Sequence, residues 1–272
     1  MIKFLIRLNE YLNRILYSWN NLGLISTFKI FFFHKKKINF IKPIKFPYKI
    51  YFRKSGDYGA LTHLFNLSYK INDKNSKNKI ENIIDLGANI GIETIKFKFF
   101  FPDSKIIAVE PEKNNFEILK KNTKNYNSIH LENYAIGNKQ TEVYLKNESK
   151  NISSNYNESF FVTNESTNRK VKTISIPYLI KKYNLEKINI LKSDIEGYER
   201  YIFDDSSFEW LNKVDCIIFE SPDNDYISKG TTQKIFNAIQ KCDLKFNSHI
   251  CGENIVLINE SCSFKLELIK YF

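Results

Sequence analysis

The chain is short of the residues that punctuate or staple a structure: nine Gly, six Pro, four Cys and one Met among 272 residues. With 43% hydrophobic and 15% aromatic residues, that scarcity excludes disorder over most of the length. Cys216, Cys242, Cys251 and Cys262 include no C-x-x-C pair, and none stands at zinc-finger spacing from a histidine. Reduced, structural thiols are expected, with Cys216 a small core residue inside an apolar run. No Gly-x-Ser-x-Gly elbow and no internal repeat is present. Long basic runs are missing too, although the formal net charge is +11; the densest cluster is His34-Lys35-Lys36-Lys37. The charge therefore points to an acidic partner or to lysines spread over a solvated surface, and nucleic acid is the disfavoured option.

The first residues, MIKFLIRLNEYLNRILYSW, place Phe4, Leu5, Leu8, Tyr11, Leu12, Ile15, Leu16 and Trp19 at helical spacing, with Lys3, Arg7 and Arg14 between them. The charges interrupt this segment too often for a spanning helix, and no small-residue cleavage site follows an apolar core. A helix packed on the domain is expected first. Peripheral membrane contact through residues 1–40 is the alternative, kept open by the following FKIFFFHKKK.

Residues 1–45 read as an N-terminal helical appendage and 46–272 as the main domain. Tyr48 to Arg53 alternates as a strand, Ser55-Gly56-Asp57 makes a turn, and a helix is expected from Ala60 to Ile71. From there strand and helix alternate. Strands are expected at 82–86, 105–110, 129–134, 188–193 and 214–220, and helices near 90–101, 113–125, 196–203 and 230–241. That alternation implies an α/β fold with a doubly wound parallel sheet, covered on both faces. An interruption at 138–176 carries short strands at 141–145 and 170–176, and 245–268 reads as strand-turn-strand at an antiparallel edge.

The stretch IIDLGANIGIETIKFKFFFPDSKIIAVEPE, from Ile83 to Glu112, is an apolar strand, a glycine turn, a helix and a second strand ending on an acid. Gly87 and Gly91 permit tight curvature, and the helix that follows aims free amides at the turn. A dinucleotide site needs G-x-G-x-x-G around a pyrophosphate, whereas here Asn89 stands between two glycines and Asp85 lies just ahead of them. A phosphate-free cofactor bearing a positive sulfonium suits Asp85 better, and S-adenosylmethionine (SAM) is that cofactor. Glu110 falls about 20 residues past the glycines, where a ribose-binding acid is expected. Asp85, Gly87, Asn89, Gly91 and Glu110 are therefore the candidate cofactor-binding residues, joined by Asp194 at the end of the strand INILKSD.

Four blocks, IIDLGANIGIETI, VEPEKNNFEILKKN, ENYAIGNKQTEVYL and ILKSDIEGYERYIF, resemble in order those of the FkbM-type family of SAM-dependent O-methyltransferases. The resemblance covers roughly residues 48–222, and LKSDIEGYE is its most distinctive piece. It implies a Rossmann-like, seven-stranded SAM methyltransferase sheet and methyl transfer to a hydroxyl, often on a sugar or polyketide-like product. One departure stands out: family members commonly carry Leu-Asp where this chain has Ile176-Pro177.

Methyl transfer is an in-line displacement, so alignment and solvent exclusion do most of the work. A sugar hydroxyl also benefits from a base or a metal. Asp194 is expected to face the methyl donor or the acceptor hydroxyl, with Glu196 or Glu220 assisting. His249, in an expected late loop near Gly252, is the best base among the four histidines, and Asp57 and His63 could approach the substrate side. Glu199 reads as a surface or ion-pair residue. A divalent metal held by acids such as Asp194 and Glu220 is a further option, not favoured. The expected partner is a small-molecule or glycan acceptor, phosphate-bearing if the basic charge reports on it, for a cytoplasmic protein or one peripheral to the inner face of the membrane. Two alternatives stay open: an RNA methyltransferase, and a catalytically silent module anchoring a membrane-associated glycan assembly.

Overall fold

The strand segments are nearly continuous apolar runs, which only a sheet covered on both faces can bury. The computed structural model describes residues 38–43, 46–53, 69–73, 80–147, 160–163, 165–220, 229–251, 254–262 and 264–268, with positions 19, 25, 26, 57, 60 and 61. Its centre is a seven-stranded sheet. Four parallel strands are β4 (Asn82–Leu86), β5 (Lys105–Val109), β6 (Ile129–Glu132) and β11 (Ile190–Ser193), joined by β12 (Cys216–Glu220), also parallel to β11. The edge hairpin is β13 (Phe246–Cys251) and β14 (Asn254–Asn259), and the spatial order runs β13-β14-β12-β11-β4-β5-β6. Only β14 opposes its neighbours, as expected of a terminal hairpin closing a parallel sheet.

Alternate residues of each strand feed opposite cores. Ile84, Leu86, Ile107, Val109, Leu191, Ile217 and Phe219 pack under α3 (Ile176–Tyr183), α5 (Phe208–Leu211) and α6 (Thr231–Lys241), through Leu179, Trp210, Leu211 and Ile235. Their neighbours Ile83, Ile106, Ile190, Cys216 and Ile218 pack on the other face, with Phe97 of α1 (Ile92–Phe100). Cys216 is thus the core residue it was expected to be, and none of the four cysteines is joined in a disulfide. The remaining helices are α2 (Lys113–Thr123) and the single-turn α4 (Glu199–Ile202).

The 138–176 interruption, together with the residues just ahead of it, builds a second sheet beside the carboxyl ends of the first. Strands β7 (Ala135–Ile136), β8 (Glu142–Asn147), β9 (Phe160–Thr163) and β10 (Lys170–Ile174) run in the order β7-β10-β8-β9. Ile176 belongs to α3 rather than to the strand expected through 176. The departure at Ile176-Pro177 has a structural counterpart: Ser175 caps α3 by accepting from the Tyr178 amide, and Pro177 occupies the first turn, where no N–H is required.

Three other expectations shift. Ile38–Ile41, placed in the helical appendage, is strand β1, paired antiparallel with β2 (Ile50–Arg53). Tyr69–Ile71, expected to finish a helix, belongs to β3 (Tyr69–Asp73), which pairs with β15 (Phe264–Leu268). β-branched and aromatic residues satisfied a helical period over so short a window. The expected helix at 196–203 shrinks to 199–202, because Glu196 (φ 54°) and Gly197 (φ 83°) take left-handed turn conformations. The amphipathic segment before Trp19 lies outside the described residues, as do His34 and His63. No helix among the described residues is long and apolar enough to cross a membrane.

Candidate active site

The carboxyl ends of β4, β5 and β11 surround a cleft partly open to solvent. Its walls include Gly87 and Asn89 after β4, Glu110 and Pro111 after β5, Asn115 of α2, and Asp194, Ile195, Glu196 and Tyr198 after β11. Tyr134 and Ile136 contribute from the β6–β7 side, and Phe160 and Val162 from β9. Of the expected site residues, Gly87, Asn89, Glu110, Asp194 and Glu196 meet here.

Gly87 is required by close approach. Its φ is 76°, and a Cβ there would stand 1.8 Å from the Asp194 carbonyl oxygen. The two strand ends touch at this point, where the Asp194 amide also donates to the Leu86 carbonyl at 3.0 Å. Gly91, also left-handed, does different work: a Cβ would meet Leu119 Cδ1 at 2.6 Å, so it lets α1 and α2 pack. It does not line the cleft.

Glu110 is 5% exposed and shaped by three donors. The Asn89 amide donates to Oε2 at 2.8 Å; the Glu112 amide and Asn115 Nδ2 donate to Oε1 at 2.8 and 3.4 Å. Burial nevertheless wins over these bonds and pushes its pKa up to about 7. With a single bond on Oε2, the carboxyl keeps acceptor capacity toward the cleft. Asn89 Oδ1 is a second acceptor, buried and without a hydrogen-bond partner. A nucleoside with vicinal hydroxyls and an amino group supplies the donors such a pair requires. The residues present fit SAM: Glu110 for the ribose, Asn89 for a neighbouring donor, and Val109, Ile136, Phe160 and Val162 for the apolar base.

Asp85 is present but not in the cleft wall. It is 0% exposed beneath the glycine turn, with Thr94 Oγ1 donating to Oδ2 at 2.6 Å and Lys192 Nζ 3.7 Å from Oδ1. Burial raises its pKa, against the opposing pull of Lys192 and Thr94. Lys192 is the residue sequence reasoning missed. It pairs with Asp85 across β4 and β11 and reaches Asp194 Oδ2 at 3.1 Å. Burial alone would push its pKa down, yet Asp194, Asp85 and Glu93 carry it above the ordinary lysine range. Asp85 therefore counters an internal ammonium at this point. Its signal was available: a lysine inside the apolar run INILKSD has to be paired.

Beyond β11, Asp194 and Glu196 face the cleft. Glu199, expected at the surface, is 1% exposed; its Oε1 accepts from the Ile195 amide at 3.0 Å and from Ser193 Oγ at 3.2 Å. It holds the turn that presents Asp194. Glu220 ends β12 opposite Asn254 and is not among the cleft-lining residues. His249 is not in a loop: it lies within β13, opposite Val256 on the outer edge strand, with β14 and β12 between it and β11. At about 4.8 Å per strand, that puts it well over 10 Å away, too far to serve as the base. Asp57 is buried and held by Arg53 at 2.7 Å, which also reaches Asn115. Among the described residues no group of three or more His, Cys, Asp or Glu could hold a metal ion.

A family model for the methyltransferase FkbM domain matches residues 85–246, from the first strand of the cleft to the edge hairpin. The chain belongs to the FkbM methyltransferase family. The match starts later and runs further than the resemblance read over residues 48–222, taking in α6. Among solved structures, the FkbM methyltransferase of Methylobacillus flagellatus is 14% identical, with 65% of this chain covering 43% of that one at a TM-score of 0.45. Fibrillarin of Aeropyrum pernix, in complex with natively bound S-adenosyl-L-methionine, is 10% identical over 67% of each chain, with a TM-score of 0.39. Precorrin-6y C5,15-methyltransferase of Geobacter metallireducens is 10% identical, covering 73% of this chain and 85% of that, at 0.38. No curated protein matches the chain significantly.

Proposed function

We propose that this FkbM-family methyltransferase transfers a methyl group from SAM to a hydroxyl of a carbohydrate acceptor, a nucleotide-linked sugar or a surface-glycan precursor. The observation that carries this is the meeting of Glu110, the candidate ribose acid, with Asp194 and Glu196 in one cleft. Bound there, SAM supplies a methyl group on a sulfonium, ready for displacement.

The chain's own residues do the rest. Glu110 and Asn89 orient the donor, and the Gly87–Asp194 contact fixes the distance between the donor turn and the acceptor side. Lys192 holds one oxygen of Asp194, leaving the other to accept the proton of the attacking hydroxyl. Glu196, raised into the cleft by its left-handed turn, orients the acceptor. Val109, Ile136, Phe160 and Ile195 exclude water.

A carbohydrate is favoured over RNA because two lysines of the small sheet beside the cleft are matched with acids, Lys146 with Glu165 and Lys170 with Glu142. Those pairs take two cations out of the single-signed stripe a phosphate backbone would require. Incubation with methyl-labelled SAM and separate pools of nucleotide sugars, glycan extracts and RNA tests this. Label in the sugar pools is expected; salt-sensitive label in RNA would reverse the choice.

A further inference from the structure

The 138–176 interruption looks like an acceptor loop, since variable insertions beside a fixed donor site commonly choose the substrate. The contacts place its cleft-facing strand on the other side. Phe160 of β9 lines the cleft. The Arg169 guanidinium sits 4.4 Å from the centre of the Phe160 ring and 3.5 Å from Glu112 Oε1. Glu112 in turn caps α2 through Asn115 and donates its amide to Glu110, the ribose acid. A chain of contacts thus runs Phe160–Arg169–Glu112–Glu110, and it ties β9 to the nucleoside half of the cleft rather than to Asp194 and Glu196.

We infer that the small sheet is a donor-side wall: Phe160, latched by Arg169 against Glu112, stacks on the purine base of the cofactor, and Arg169 is the positioning residue that holds the ring there. A planar guanidinium is suited to this task, because it lies flat on the ring while its edge reaches the carboxylate. Val162, two residues along the same strand, faces the cleft with Phe160 and adds apolar area beside the base. Arg169 is 41% exposed, so its pair with Glu112 contributes little to folding by itself. Its consequence is orientation. The inference rests on SAM being the donor, and it assigns residues to that donor which neither glycine turn nor ribose acid predicts.

Calorimetric titration with S-adenosylhomocysteine, which needs no acceptor, provides the test. Phe160→Ala should weaken binding by about tenfold or more, the scale of losing one base–aromatic stack. Phe160→Tyr should retain affinity. Arg169→Ala should weaken it a fewfold, and Arg169→Lys should not restore it, because an ammonium keeps the charge without the flat stack. A Phe160→Trp variant provides a second readout: its added fluorescence should be quenched saturably by S-adenosylhomocysteine. Equal affinity for Phe160→Ala and the unsubstituted protein, or unquenched fluorescence from Phe160→Trp with ligand bound, would overturn the inference and leave the methyltransferase reading standing. Absence of binding to the unsubstituted protein would remove both.

Discussion

Replacing Lys192 with Met tests the buried charge pair that links the donor turn to Asp194. Lys192 Nζ lies 3.7 Å from Asp85 Oδ1, with both side chains essentially excluded from water. At an effective dielectric near 20 that separation is worth about 4 kcal/mol. Removing the ammonium leaves Asp85 to protonate or to remain charged without compensation. Protonation at pH 7, from an ordinary carboxylate value of 3.8, costs about 4 kcal/mol; at pH 5 it costs about 2 kcal/mol. The penalty should therefore be about 4 kcal/mol at neutral pH and should shrink on acidification, because the folded variant binds a proton that the unfolded chain releases. Urea unfolding followed by circular dichroism, with Lys192→Met, Asp85→Asn and the double variant, closes the cycle. The double variant should recover about 2 kcal/mol or more of the loss. A coupling below about 0.5 kcal/mol, or a penalty independent of pH, would refute the reasoning.

Other outcomes follow from single contacts. Glu110, raised to about 7 by burial, must be ionised to accept a ribose hydroxyl on Oε2, so donor affinity should rise with pH up to about 7 and then level off. Calorimetry across pH 5–9 checks this, and Glu110→Gln should abolish the dependence along with most of the affinity. The same shift makes the folded state bind more protons than the unfolded between pH ~4.5 and ~7, so this group's contribution to stability falls as pH rises through that window. Gly87→Ala should lose at least about 3 kcal/mol or fail to fold, because its Cβ would meet backbone at 1.8 Å. Gly230→Ala, also at positive φ (+84°) but with nothing within 4 Å, should cost only about 1 kcal/mol. Asp194→Asn should retain S-adenosylhomocysteine binding while methyl transfer falls by about a hundredfold or more.

The parallel sheet was legible because its strands must be apolar on both faces, a pattern that five short runs carry without ambiguity. Glu110 was legible because a strand end fixes where a carboxylate points, and Gly87 because a tight turn allows few residues. Contacts between distant strands were not. That Lys192 lies opposite Asp85 depends on the register of β11 against β4, which no local spacing records. Asp85 accordingly read as a ligand for a sulfonium when its nearest cation is inside the protein. Glu199 read as a surface charge because helical position alone does not reveal an amide and a hydroxyl waiting for an acceptor. His249 sits near Gly252 in sequence, and the glycine suggested a loop where the chain makes an edge strand. Phe160 lay next to a polar Asn/Ser stretch and offered no period from which to infer a place in the cleft.

The proposed reaction moves a methyl group from SAM to a carbohydrate hydroxyl in this cleft, with Asp194 at the point of transfer. Mass spectrometry of nucleotide sugars and glycan extracts, after incubation with methyl-labelled SAM and this chain, tests it directly. One added methyl group on a sugar hydroxyl, absent when Asp194→Asn replaces the unsubstituted protein, is the expected result. Binding of SAM with no label in any carbohydrate pool, or label unchanged by Asp194→Asn, would contradict it.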